Sequence, residues 1–74
     1  MAKTFSGKFV IKVLCKSFGF ALTSQKGSHV KLRKISTRRT LTTIVPLHKE
    51  LARGTFRGIL ELADVSEEDF LKFI

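Results

Sequence analysis

A short run in the middle of the chain, Ser28 to Arg33, carries the side chains best suited to chemistry on a phosphodiester. Its residues alternate between apolar and polar, so a β-strand here would place Val30 and Leu32 on one face and His29 with two cations on the other. If the apolar face packs against the rest of the protein, the imidazole faces solvent. Because an imidazole gains or loses a proton near neutral pH, such a group can serve an acid–base step.

Cleavage of RNA is one reaction that would use this group. A ribose 2′-hydroxyl attacks the neighbouring phosphorus, and a proton must leave the nucleophile while another reaches the departing oxygen. His29 is the candidate for one of these transfers, and the candidate phosphate donors are Lys26, Lys31 and Arg33. Gly27 and Ser28 would let the backbone N–H groups approach a phosphate closely. The competing interpretation is a surface histidine without any catalytic role.

Two further residues bear reactive groups. His48, which follows Pro46 by two positions, is a second candidate proton donor, and the competing interpretation is a loop histidine that donates to a nearby carbonyl. Cys15 lies among helix-forming apolar residues and is interpreted as a small buried hydrophobe. We therefore assign it no chemical function.

The charges of the 74-residue chain are segregated. Eleven of its 14 Lys and Arg residues lie in the segment 1–49, which has no Asp or Glu, and all six acidic residues follow from Glu50 onward. A net charge of +8 indicates a polyanionic partner such as RNA. The lysines of the first predicted helix, Lys8 among them, are either a phosphate track or a solvated face.

The same distribution bears on metals and on the cellular compartment. The basic segment has no carboxylate to hold Mg²⁺ against a substrate phosphate, and one cysteine with two histidines cannot complete a four-ligand zinc site. We therefore expect metal-independent chemistry and no cofactor. A single cysteine precludes an internal disulfide and favours the cytoplasm, and no apolar run is long enough to cross a membrane.

The elements that must position these residues can be predicted from apolar spacing and capping residues. Ser6 is a helix cap before apolar residues at three-to-four spacing, and Gly19 would end that helix. A second helix is predicted with Thr55 as its cap, and a short third helix begins at Ser66 with acidic residues in its first turn. Between the first two helices, three strands are predicted over Phe20–Gln25, Ser28–Arg33 and Thr40–Val45.

The predicted order is α-β-β-β-α-α, which defines an α+β fold. We expect one domain over residues 1–74, in which the two main helices cover one face of a three-stranded antiparallel sheet. The other sheet face would then stay open, with His29 on it.

Several short motifs in this chain resemble one known family. They occur in the family's order and spacing: Ser6-Gly7-Lys8, Gly19-Phe20, Gln25-Lys26-Gly27-Ser28-His29, Val45-Pro46-Leu47-His48, Gly54-Thr55 before Ile59-Leu60, and Ser66-Glu67-Glu68-Asp69-Phe70-Leu71. Nearly the whole chain is covered. On these residues the chain is similar to the HicA-family mRNA interferase toxins.

The resemblance implies a double-stranded-RNA-binding-domain-like fold, mRNA cleavage without a metal, a catalytic histidine at the place of His29, and neutralisation by a HicB-type antitoxin. The family usually has glycine where Asp64 would end the second helix. Aspartate can adopt the left-handed conformation at a helix end with a modest penalty, so we expect the fold to survive this difference.

Two other functions fit the same composition. A non-catalytic module that binds double-stranded RNA would use the fold and the positive charge but leave His29 idle. A purely protein-binding role would use the basic surface to dock an acidic partner. Cleavage assays and RNA-binding assays separate the three.

Overall fold

Three helices and three strands follow one another in the predicted order in the structure, a computed structural model that describes residues 3–74. The elements are α1 (Gly7–Ser17), β1 (Ala21–Lys26), β2 (His29–Ile35), β3 (Thr40–Pro46), α2 (Arg53–Ala63) and α3 (Glu67–Leu71). The sheet is antiparallel with β2 in the middle. The predicted α+β, double-stranded-RNA-binding-domain-like fold is confirmed.

Helix α1 begins and ends as the sequence predicts. The Ser6 hydroxyl accepts a hydrogen bond from the Phe9 N–H at 3.1 Å, which satisfies a donor that the first helical turn leaves free. After the last turn, Gly19 adopts a φ of 79°, a conformation that glycine takes without steric penalty. The buried face of the helix, at Val10, Val13 and Leu14, follows the three-to-four spacing.

The hydrophobic core lies between the sheet and the helices. Val30, Leu32 and Val45 from the sheet are buried with the apolar faces of α1 and α2. Thr43 is the one buried polar residue of the core in the described part of the chain, and its hydroxyl donates to the Ile59 carbonyl oxygen of α2 at 2.9 Å. This bond satisfies the buried hydroxyl and ties β3 to α2.

Helix α2 begins two residues before the predicted cap. The prediction of Thr55 as the cap was wrong: Ala52 occupies that position without a side-chain bond, and Thr55 lies within the first turn. The Phe56 N–H already donates to the Ala52 carbonyl oxygen at 2.9 Å. Leu51, the residue before this cap, is buried, and its N–H donates to the Phe5 carbonyl oxygen at 2.8 Å.

At its other end α2 is terminated by Asp64 in the left-handed conformation, with φ 57° and ψ 42°. The fold therefore accommodates aspartate in a backbone conformation that favours glycine. The Arg39 guanidinium lies 2.9 Å from the Asp64 carboxylate, an exposed pair that links the β2–β3 loop to this end of α2.

Helix α3 is capped by Ser66, whose hydroxyl accepts from the Asp69 N–H at 3.0 Å, as predicted. Phe70 is 0% exposed and its ring packs against Phe5, Phe9 and Phe56. Phe73 lies beyond the end of α3 and is 53% exposed, and its ring makes an edge-to-face contact with Phe18. Within residues 3–74 there is no helix with the length and apolar character needed to span a membrane.

Candidate active site on the open sheet face

His29 is the first residue of the middle strand β2 and is exposed. Its neighbour Val30 is 1% exposed and Leu32 is 0% exposed, so the apolar side of β2 faces the helices. Since side chains alternate along a strand, the imidazole lies on the face that the helices leave uncovered. The orientation predicted for His29 from the sequence is therefore confirmed.

Three cations share this face with His29. In the sheet register Lys26 lies opposite His29, while Lys31 and Arg33 follow His29 at positions two and four further along β2. Side chains directly opposite each other have Cβ atoms about 4.5–5.5 Å apart, so Lys26 borders the imidazole. Ser24 lies opposite Lys31 on the same face.

These cations lack counter-charges in the described part of the chain. The ion pairs within residues 3–74 involve Arg39, Arg53, Arg57 and Lys72, none of which belongs to this face. A positive surface without internal partners attracts an external anion, because the charges are not neutralised within the fold. We call the surface formed by Lys26, His29, Lys31 and Arg33 the basic face.

The remaining two residues predicted for the site form the turn between β1 and β2. Gly27 has a φ of 59°, whereas Ser28 is not among the residues with positive φ, a combination typical of a two-residue type II′ turn. A β-carbon at Gly27 would have no atom within 4 Å, so its requirement is conformational and its backbone is open to solvent. Strand β2 begins at His29, one residue later than predicted, because Ser28 belongs to this turn.

The end of β3 joins this turn to the beginning of α1. Pro46 is the partner of His29 in the sheet, and the Leu47 N–H then donates to the Ser28 carbonyl oxygen at 2.7 Å. From the other side, the Gly7 N–H donates to the His48 carbonyl oxygen at 2.9 Å. The backbone from Pro46 to His48 is thus held between the turn and the first residue of α1.

Gly7 is a positioning residue that sequence reasoning missed. A β-carbon there would overlap the carbonyl oxygen of Pro46 and would lie 3.1 Å from the Leu47 Cα. The signal in the sequence was a glycine as the first residue of a helix, where helix propensity does not favour it.

Lys8 is the one predicted binding residue that lies outside the β1–β2 hairpin. It is exposed in the first turn of α1, next to Gly7 and therefore beside the Pro46–His48 segment. The structure thus brings Lys26, His29, Lys31 and Arg33 together on one face and leaves Lys8 at its border.

His48 is exposed, and its ring makes no hydrogen bond with any group in the described ranges. The alternative in which the ring donates to a nearby carbonyl is therefore not observed. Cys15 is partly buried against the core, and this burial raises the pKa of its thiol. A thiol that holds its proton more tightly is a weaker nucleophile at neutral pH.

The candidate site is neither a pocket nor a cluster of metal ligands. An apolar cavity of about 210 Å³ lies between the N-terminal segment, α2 and α3, lined in part by Phe5, Leu51 and Phe56, and neither histidine contributes to it. Residues 3–74 also contain no group of three or more His, Cys, Asp or Glu side chains arranged to hold a metal ion. The basic face is recognised instead by its exposed imidazole and its unpaired cations.

Comparison with protein-family models identifies the family of this chain. The family model for the HicA toxin of bacterial toxin-antitoxin systems matches residues 7–65 of the 74-residue chain, a range that contains the whole basic face. No curated protein gives a significant match to the chain.

Proposed function

Because the chain belongs to the HicA toxin family of bacterial toxin-antitoxin systems, we propose that it is a metal-independent endoribonuclease that cleaves mRNA by transesterification with His29 as a proton-transfer group. The observation that carries this proposal is the exposed imidazole on an uncovered sheet face among cations that form no ion pair within residues 3–74.

In the proposed reaction the ribose 2′-oxygen forms a bond to phosphorus as the bond to the 5′-oxygen breaks. His29 transfers one of the two protons that move, a contribution of roughly 10²–10⁴ in rate. Lys31, Arg33 and Lys26 hold the phosphodiester and stabilise the negative charge that develops on its oxygens, where one well-placed donor is worth about 10²–10³.

RNA binding extends beyond the cations. The backbone N–H groups of the turn at Gly27 and Ser28 can contact a phosphate, since the space beside the Gly27 α-carbon is open. Lys8 contacts the RNA at the border of the sheet, beside the start of α1. Single-stranded RNA fits this arrangement because its backbone can follow a nearly flat face.

The protein partner is proposed to be a HicB-type antitoxin that covers the basic face. An acidic surface on that partner would match the unpaired cations and exclude RNA from His29. Both partners would meet this chain in the cytoplasm. Antitoxin and RNA are then expected to compete for the same residues.

The experiment compares wild-type protein with His29→Ala on a single-stranded RNA in the presence of EDTA. We expect cleavage by wild type with chelator, loss of cleavage by His29→Ala, and nearly unchanged RNA affinity. Ser24→Ala, a small substitution on the same face opposite Lys31, is the matched control and should cleave like wild type. Persistent cleavage by His29→Ala, or cleavage that EDTA abolishes, would contradict the proposal.

The fold itself favours a second candidate, a non-catalytic module that binds double-stranded RNA. Its α-β-β-β-α core is the arrangement of double-stranded-RNA-binding domains, which recognise shape and backbone without cutting. That function predicts binding of a duplex by wild type without cleavage of either single- or double-stranded RNA. The same assay therefore separates the two candidates.

A further inference from the structure

Transesterification moves two protons at opposite sides of one phosphorus. The attacking 2′-oxygen and the departing 5′-oxygen lie roughly in line through phosphorus, so a group that hydrogen bonds to one of them cannot also serve the other. Each transfer needs a donor or acceptor within about 2.6–3.2 Å of its oxygen. His29 accounts for one side only.

We propose that His48 is the second proton-transfer group of this site, which is an inference that rests on the proposed function. The register supplies the placement: Pro46 is the direct partner of His29, and the hydrogen bond from the Leu47 N–H to Ser28 continues the pairing past the end of β3. His48 is therefore the diagonal neighbour of His29, and such neighbours lie about 7–8 Å apart. That spacing leaves room for a phosphodiester between the two rings.

Leu47, the residue between Pro46 and His48, shows on which side of the sheet the His48 side chain lies. Leu47 packs against the hydrophobic core, and its hydrogen bond to Ser28 carries the strand pairing, in which successive side chains alternate, one residue beyond β3. His48 therefore returns to the side of His29, and both residues are exposed.

The backbone of His48 is fixed although its side chain is free. Its carbonyl oxygen accepts from the Gly7 N–H at 2.9 Å, and the preceding N–H is bonded to Ser28 at 2.7 Å. Gly7 admits this contact because it has no β-carbon. An imidazole that makes no hydrogen bond within residues 3–74 and is carried on an anchored backbone is suited to a positioned proton transfer, because little order is lost when substrate binds.

The step is balanced without a metal or redox partner. One imidazole accepts the proton of the 2′-hydroxyl, and the other, in its protonated form, gives a proton to the 5′-oxygen. The bond from the 2′-oxygen to phosphorus forms as the bond to the 5′-oxygen breaks, which yields a 2′,3′-cyclic phosphate and a free 5′-hydroxyl.

The test uses two RNA oligonucleotides in EDTA, one with ordinary linkages and one with sulfur in place of the 5′-bridging oxygen of the cleaved linkage. A thiolate leaves without being protonated, so the sulfur substrate no longer needs the acid but still needs the base. The variants are His48→Gln, His48→Ala and His29→Ala, with Lys49→Ala as the matched control for a neighbouring exposed side chain. Thermal melting verifies that each variant is folded.

We expect both His48 variants to lose about 10²–10⁴ in kcat on the ordinary substrate with little change in KM. The sulfur substrate should restore cleavage to the variants of one histidine and not of the other, which identifies the acid. Lys49→Ala should resemble wild type in kcat.

Three results would overturn the proposal: His48→Gln cleaving like wild type, His48 variants changing only KM, or sulfur restoring the variants of both histidines or of neither. If the His48 variants cleave like wild type and only His29→Ala is inactive, the proposed function stands and the role of His48 falls. If wild type itself cleaves neither substrate, both proposals fall together.

Discussion

The α-carbon of Gly7 packs against the carbonyl oxygen of Pro46 so closely that a β-carbon cannot be placed between them. Gly7 is the first residue of α1 and Pro46 is the last residue of β3, and their contact sets the start of α1 against the end of β3. Because Pro46 has no N–H and its carbonyl oxygen packs against α1, this end of the β3 edge has no backbone donor to offer another strand.

Substitution of Gly7 tests this contact. Gly7→Ala should destabilise the protein by about 1–3 kcal/mol, since the new methyl group must displace the backbone of β3 or of α1. For a domain of this size, each kcal/mol corresponds to a fall in Tm of roughly 4–8 °C, which thermal denaturation followed by circular dichroism would measure.

Gly58→Ala is the matched control for that substitution. Gly58 lies within α2 and a β-carbon there would have no atom within 4 Å, so alanine should raise stability by roughly 0.5–1 kcal/mol through helix propensity. Equal behaviour of the two alanine variants would contradict the close contact at Gly7.

The buried hydroxyl of Thr43 gives a prediction about the core. Thr43→Val keeps the shape of the side chain but removes the hydrogen bond to the Ile59 carbonyl, and we expect a loss of about 1 kcal/mol in the free energy of unfolding. Urea denaturation would measure the loss. The neighbouring Thr42→Val, on the partly exposed opposite face, should change stability by less than about 0.5 kcal/mol.

The cations of the basic face should determine the salt dependence of RNA binding. Substitution of Lys31 or Arg33 with alanine should weaken affinity for single-stranded RNA. It should also reduce the slope of log K against log salt by about 0.7 for each phosphate that the protein no longer neutralises. Fluorescence anisotropy on His29→Ala protein measures binding without cleavage.

Lys16→Ala is the control for that series, because Lys16 is exposed in the last turn of α1 and its substitution removes the same charge. A slope that falls equally for Lys16→Ala would mean that net charge, and not the basic face, determines the affinity.

The partly buried thiol predicts a pH effect. Burial raises the pKa of Cys15, so the folded protein holds this proton more tightly than the unfolded chain does. As pH rises past the ordinary thiol value of about 8.5, the unfolded chain loses its proton first and stability should decrease; at lower pH the group has no effect.

Alkylation by iodoacetamide at pH 8 provides the measurement for Cys15. The native protein should react more slowly than the same protein in urea. In a Cys15→Ser background, Ser24→Cys on the exposed strand β1 should react at similar rates in both states. Equal native and denatured rates at Cys15 would contradict the raised pKa.

Local patterns predicted much of this molecule. Interactions between residues two to four positions apart determine the caps at Ser6 and Ser66 and the outward orientation of His29. Such local interactions can be predicted directly from the sequence. The segregation of charge likewise predicted unpaired cations on β2, because acidic residues occur only from position 50 onward. The start of α2 was misplaced, because the position before its first residue is occupied by Ala52, which has no polar side chain to signal a cap.

By itself, the sequence determined the order of the elements, their capping and the side of β2 on which the imidazole lies. Only the tertiary structure decided that Gly7 meets Pro46 and that His48 lies beside the turn at Ser28. These contacts join residues separated by about 20 to 40 positions, and no local spacing encodes them. They arise when α1 and the end of β3 pack over the same core, because packing brings together backbone groups whose partners the chain alone leaves open.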